Sequence, residues 1–136
     1  MAHGSFLVAS LLLGYTLAFM DPCTFYPRGF LPENETEIII PTPSCQNGVI
    51  DWNYPRGTIT IKFNQKDVFQ LCVKNSLGGA ALTLFDNSFG KEVPLKTLSE
   101  EDQCIRSHGH TAILDVKAPP PMTYMAAFSF AIKIGL

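Results

Sequence analysis

Few side chains in this chain are equipped for chemistry. They are Cys23, Cys45, Cys72 and Cys104, the pair His108 and His110 in Ser107-His108-Gly109-His110, and the acidic run Ser99-Glu100-Glu101-Asp102. Two histidines one residue apart suit zinc or copper, yet a site needs further ligands and none stands at a recognisable spacing. The segment therefore reads as an exposed turn. Ser99 followed by three carboxylates has the pattern of a helix N-cap whose acids favour the positive end of the dipole. A calcium cage needs more oxygen ligands than this loop supplies, so a single capped turn is the preferred reading. Hydrolysis through a triad needs a nucleophile, a base and an orienting acid, but the only histidines beyond His3 share one loop. Neither a G-x-S-x-G elbow, nor a phosphate-binding glycine loop, nor a dinucleotide fingerprint occurs. No catalytic set, no metal site and no cofactor is expected.

What must position these residues is one small domain. The chain has 136 residues, with 10 Lys and Arg against 12 Asp and Glu and a formal net charge of −2. Neither sign is concentrated, which argues against nucleic acid and against a polybasic membrane anchor. Residues 5–19, SFLVASLLLGYTLAF, match a signal-peptide core and are short for a bilayer span. Thr16 and Ala18 stand at the spacing for cleavage before Phe19, although His3 replaces the usual basic leader residue. The expectation is a signal peptide over 1–18, a secreted domain over 19–136, and no membrane span in the mature chain. In an oxidising compartment four cysteines read as two disulfides, for which arithmetic allows three pairings.

From Phe19 to Ser44 the prolines at 22, 27, 32, 41 and 43 deny the chain a helix or a central strand, so it reads as an extended arm. Within it Ile38, Ile39 and Ile40 suit a sheet edge, and Asn34-Glu35-Thr36 is an acceptor triplet for N-glycosylation at Asn34. Val49, Ile50 and Trp52 lead into the turn Tyr54-Pro55-Arg56-Gly57. Ile59, Ile61 and Phe63, and then Phe69, Leu71 and Val73, alternate with polar residues on either side of Asn64-Gln65-Lys66-Asp67, which predicts a hairpin. A strand is expected over Ala80 to Phe85, an edge strand at Val93-Pro94-Leu95, and strands from Cys104, from Ala112 to Lys117 and from Tyr124 to Ile134. Pro119-Pro120-Pro121 reads as a spacer. The lone Trp52 is assigned to the core, as is the aromatic row of the last strand. These elements predict an all-β, disulfide-stapled antiparallel sandwich of about seven to nine strands.

The run Cys45-x-x-Gly48-x-Ile50-Asp51-Trp52-x-Tyr54-Pro55-x-Gly57 resembles the C-x-x-G-x-V-E-W-x-Y-P-x-G signature near the start of mature meteorin and meteorin-like proteins. Phe69 to Lys74 resembles that family's next segment, a hydrophobic strand ending in Cys-Ile-Arg, and Ala112 to Ile134 resembles the end of its first domain. The resemblance implies a CUB-like fold and the disulfides Cys23–Cys45 and Cys72–Cys104, the pairing that also closes the shorter loops. Many CUB domains bind calcium, but Val73-Lys74-Asn75 follows Cys72 where their Tyr-Asp would stand, so no metal is predicted. The resemblance further implies a secreted signalling factor that binds a cell-surface receptor or another extracellular protein. The departure is size, because the family carries a second, cysteine-rich, netrin-like domain. Two readings follow: a cytokine-like or neurotrophic-like ligand or modulator, or a structural or effector component of a matrix, coat or venom-type secretion. The loops expected to make contact are Asn75 to Gly79, Asp86 to Glu92 and His108 to His110.

Overall fold

The computed structural model describes residues 22–26, 37–52, 57–118 and 126–134. Asn34, Tyr54, Pro55, the leader and the triple proline lie outside the described residues. Among the described residues ten strands form two five-stranded sheets. Sheet A runs β1 (Thr24–Phe25), β3 (Asn47–Trp52), β10 (Ala126–Ile134), β5 (Phe69–Leu77) and β8 (Gln103–Arg106). Sheet B runs β2 (Glu37–Ile40), β4 (Gly57–Asn64), β9 (Thr111–Ala118), β6 (Thr83–Asp86) and β7 (Val93–Pro94). The fold is an all-β sandwich carrying the disulfides Cys23–Cys45 and Cys72–Cys104.

The two-residue period dictates the layer between the sheets. Ile59, Ile61 and Phe63 of β4 and Ala112, Leu114 and Val116 of β9 point inward from sheet B, while Ile50 and Trp52 of β3, Leu71 and Val73 of β5 and Phe128 and Phe130 of β10 point inward from sheet A. Trp52 is 0 % exposed. Each buried Val, Leu, Ile or Phe of this set contributes about 1.5–3 kcal/mol through burial. Phe130 packs edge-on against Phe63 at 5.1 Å between ring centroids, a contact between the two sheets.

Among the described residues there are ten strands against the about seven to nine expected, and the one not foreseen is β1, in the arm. β1 pairs parallel with β3 and β2 parallel with β4, so the segment preceding β3 supplies one edge strand to each sheet. Between β2 and β3, Pro41 to Ser44 forms a turn closed by Cys45 N donating to Pro41 O at 2.9 Å. Gly48 makes the β1 contact possible: a Cβ there would run into the carbonyl oxygen of Cys23 and stand 2.9 Å from the Phe130 ring.

The expected hairpin between β4 and β5 does not form. The two strands lie in different sheets, β4 against β9 and β5 against β10 and β8. Residues 65–68 form a corner that crosses the layer, so β4 and β5 lie on opposite sides of the core instead of side by side in one sheet. The strand expected from Ala80 begins instead at Thr83, because Gly78 takes a left-handed φ of 62° and a 3-10 turn occupies Gly79–Ala81. No helix follows Ser99: its Oγ accepts from the Glu101 amide at 3.2 Å, and β8 starts at Gln103, too soon for a helix to propagate.

Candidate functional site

Asp115 is the least expected residue of sheet B. Alternation with Leu114 and Val116 places it on the outer face, where a carboxylate ordinarily meets water, yet it is 4 % exposed. Its Oδ1 accepts from Thr60 Oγ1 at 2.7 Å, and its Oδ2 accepts from Asn87 Nδ2 at 3.0 Å. The loop after β6 folds back over this face to supply that amide. It is stitched down further: Asn87 N donates to Ile113 O at 2.9 Å, Ile113 N donates to Ser88 Oγ at 3.0 Å, and Ser88 N donates to Asp86 Oδ1 at 3.0 Å. Gly90, at φ +81°, then turns the chain toward β7. What this anchored loop presents outward is Phe89, 60 % exposed.

One face of the Phe89 ring lies on His108, with ring centroids 4.7 Å apart and planes 29° from parallel. The His108 loop is held as firmly. Ser107 N donates to Phe69 O at 2.9 Å, Phe69 N donates to Ser107 Oγ at 3.0 Å, and Ser107 Oγ donates to Gly109 O at 2.9 Å. Gly109, at φ +61°, completes the turn, and His108 N donates to Thr111 O at 2.8 Å. Gln65 N donates to His110 O at 2.9 Å, which brings the 65–68 corner alongside. Val68 and Ile134, both exposed, belong to the same end, since Ile134 pairs with Phe69. Three connections thus converge on one tip whose backbone is fixed by hydrogen bonds and whose apolar side chains meet solvent.

Of the three loops expected to make contact, two meet here and the third does not. Asn75 to Gly79 lies at the far end of β5, a strand of nine residues that spans about 27 Å, and its first three residues belong to that strand instead of a loop. Its polar groups are turned to structure: Asn75 N donates to Ser99 O at 2.7 Å, and Asn75 Oδ1 accepts from the Gly79 amide at 2.6 Å. Glu92 pairs with Lys117 at 2.9 Å, and the same ammonium lies 4.4 Å from the Phe85 ring centroid. Gly57 opens β4 opposite Ala118. Asn87, Ser88 and Phe89 fall within the expected loop Asp86 to Glu92, but neither the role of Phe89 nor that of Asp115 was singled out from sequence. The signal for Phe89 was an aromatic between Ser88 and Gly90, inside a turn that otherwise has no apolar residue; Asp115 gave none.

Among the described residues no group of three or more His, Cys, Asp or Glu is placed to hold a metal ion. No described helix is long and apolar enough to cross a membrane.

No family model matches the chain, and no curated protein aligns with it significantly. Among solved structures it is similar to a periplasmic inhibitor of g-type lysozyme from Aeromonas hydrophila, at 9% identity and a TM-score of 0.48 over 81% of this chain and 97% of that one. The corresponding inhibitor from Salmonella Typhimurium is 17% identical at a TM-score of 0.46, over 74% and 100% of the two chains. A pre-peptidase C-terminal domain of collagenase from Bacillus anthracis is 14% identical at 0.43, over 76% and 98%. The likeness is one of β architecture and carries nothing about what this chain binds.

Proposed function

We propose that this chain is a secreted, non-enzymatic factor that acts by binding an extracellular protein or cell-surface receptor through the tip built on Phe89 and His108. The observation that carries this reading is the pairing of an exposed aromatic with a rigid support. Loops carry function when a scaffold fixes them, and exposed aromatics in fixed settings are the usual anchors of protein interfaces. Asp115, Ser88 and Ser107 fix the backbone beneath Phe89 in the free chain, so little ordering entropy is lost on association. The resemblance of Cys45 to Gly57 to the meteorin signature supports the finer reading, a ligand or modulator of the cytokine or neurotrophic kind on a meteorin-type CUB-like domain.

The test is saturable binding of the purified, oxidised chain to dissociated cells of its source organism. Nanomolar binding that unlabelled protein displaces, and that falls at least tenfold in Phe89→Ala while the fold is retained, supports the reading. Absent or linear binding with folded protein overturns it and directs attention to a matrix or glandular secretion instead.

A further inference from the structure

The outer edge of β8 carries backbone groups that no described residue bonds. Cys72 and Cys104 stand opposite each other with Cα atoms 4.0 Å apart, a narrow pair of the antiparallel ladder, and the residues of a narrow pair exchange no backbone hydrogen bonds. Alternation then makes Leu71 and Ile105 a bonded pair, and Gln70 and Arg106 a second unbonded one. The next bonded pair has the same phase, since Ser107 N donates to Phe69 O at 2.9 Å. The N–H and C=O of Cys104 and of Arg106 therefore point away from β5, over the edge of sheet A. Both residues are exposed, and among the described residues nothing bonds these four groups. The connection from β7 does not fill the edge, because Lys96 bonds a side chain instead of the β8 backbone: its N–H donates to Gln103 Oε1 at 2.9 Å and its carbonyl accepts from Gln103 Nε2 at 2.8 Å. Of the four outermost strands, β1 has two residues, β7 carries Pro94, which has no N–H, and β2 leads into the turn at Pro41. β8 has four residues and no proline, and it runs directly into the His108 turn.

We propose that this edge is a strand-addition site: an extended segment of the partner protein pairs with Cys104 and Arg106 and continues onto the tip at Phe89 and His108. The proposal rests on the tip being the binding site. The edge itself selects the occupant. A donor and an acceptor on one residue, repeated about 7 Å further along, match an extended polypeptide backbone and neither a glycan nor a lipid head group. A second copy adding its own β8 antiparallel would carry the two tips to opposite ends of the pairing, whereas a partner segment uses edge and tip together. The edge is also fixed in advance, by the Cys72–Cys104 bridge along its length and by the Ser107 bonds to Phe69 at its end, so pairing has only the partner to order.

Arg106→Pro tests the edge, because it removes an N–H that β5 does not use and puts a ring in its place, while a proline whose nitrogen faces away from the ladder leaves the pairing with β5 whole. Arg106→Ala removes the same charge and keeps the N–H. With the labelled, oxidised full chain on cells of its source organism, Arg106→Pro is expected to lose about tenfold or more in affinity, and Arg106→Ala less than about threefold. Near-UV circular dichroism establishes that each variant is folded; should Arg106→Pro not fold, the chain ligated at Cys104 with a methyl group on the Arg106 nitrogen takes its place. Amide exchange of the free wild type checks the geometry without a partner: Cys104 and Arg106 are expected to exchange at least about 100-fold faster than Ile105 and Ser107. Equal protection of the four amides overturns the proposal. Equal losses in Arg106→Pro and Arg106→Ala assign the contact to the side chain and overturn strand addition. If Phe89→Ala loses binding while Arg106→Pro keeps it, the edge is wrong and the tip stands. If Arg106→Pro alone loses binding, the tip is no part of the site. If both bind as wild type, or no saturable binding occurs, edge and tip both fall. Dimerisation of the free chain in sedimentation that Arg106→Pro abolishes gives the edge to a second copy and overturns the partner segment.

Discussion

The Phe89 ring rests on the His108 ring at 4.7 Å, and the contact joins a loop of sheet B to the connection that leaves sheet A. Offset ring pairs of this kind are worth about 0.5–1.5 kcal/mol beyond area burial. A double-mutant cycle of Phe89→Ala and His108→Ala in urea denaturation is expected to return a coupling energy in that range. A coupling near zero means that the two loops are held by their backbones alone and that the stacking is incidental.

Asp115 supports the tip from below. Asp115→Ala removes the acceptor of both Thr60 Oγ1 and Asn87 Nδ2 at a site closed to water. The expected cost is about 1–3 kcal/mol in urea denaturation. Amide exchange should accelerate at Asn87 and Ser88 more than in β4 and β5, because the loop loses its tether while the inner layer does not. Uniform acceleration across all strands would assign Asp115 to the global fold and not to the loop.

Gly48 admits the arm. Gly48→Ala places a methyl against the Cys23 carbonyl and the Phe130 ring, and is expected to cost about 1–3 kcal/mol. The Val49 amide, which donates to Cys23 O at 3.0 Å, reports the local event. Its exchange protection should fall further than that of Leu71. Equal protection in variant and wild type would show that β1 can be accommodated without a bare Cα at this position.

Trp52 is inside the layer and not at the tip. Trp52→Ala is expected to lose about 3–5 kcal/mol and to lower both melting temperature and secreted yield. A fully stable, well-secreted variant that had lost only binding would move Trp52 from the core to the interface.

Cys72 and Cys104 face each other across β5 and β8, and their bridge closes a loop of sequence separation 32. On the chain-entropy model, Cys72→Ala/Cys104→Ala is expected to lose about 3–4 kcal/mol, comparable to the whole stability of a small domain. Denaturant unfolding of the double variant against wild type checks this; a change below about 1 kcal/mol would mean that the unfolded chain is already restricted in the same region.

The strands were legible because a two-residue period is written directly in residues such as Ile59, Ile61 and Phe63. Which strands become neighbours was not. A corner between sheets and a hairpin within one sheet both leave Phe63 and Phe69 pointing inward, and only the partners, β9 for β4 and β10 for β5, separate the cases. The site was half legible for a related reason. Polar, glycine-containing loops announced themselves at Asp86 to Glu92 and at His108 to His110, but that these two converge while Asn75 to Gly79 lies at the other end depends on strand order. Asp115 was hidden most completely. Its place in the alternation says solvent, and it is dry only because Asn87 returns to it from 28 residues away while Ser88 bonds Ile113 from 25 residues away.

Sheet A has β10 near its centre, between β3 and β5, although β10 is the last of the described strands to be synthesised. On the ribosome, β3 and β5 therefore wait for a strand that has not been made. The Phe128 and Phe130 side chains arrive with it, so the layer between the sheets is incomplete until β10 has been made. Long-range pairing of this kind is slow to form and leaves intermediates open to aggregation. Sheet A can therefore close only after β10 has left the ribosome.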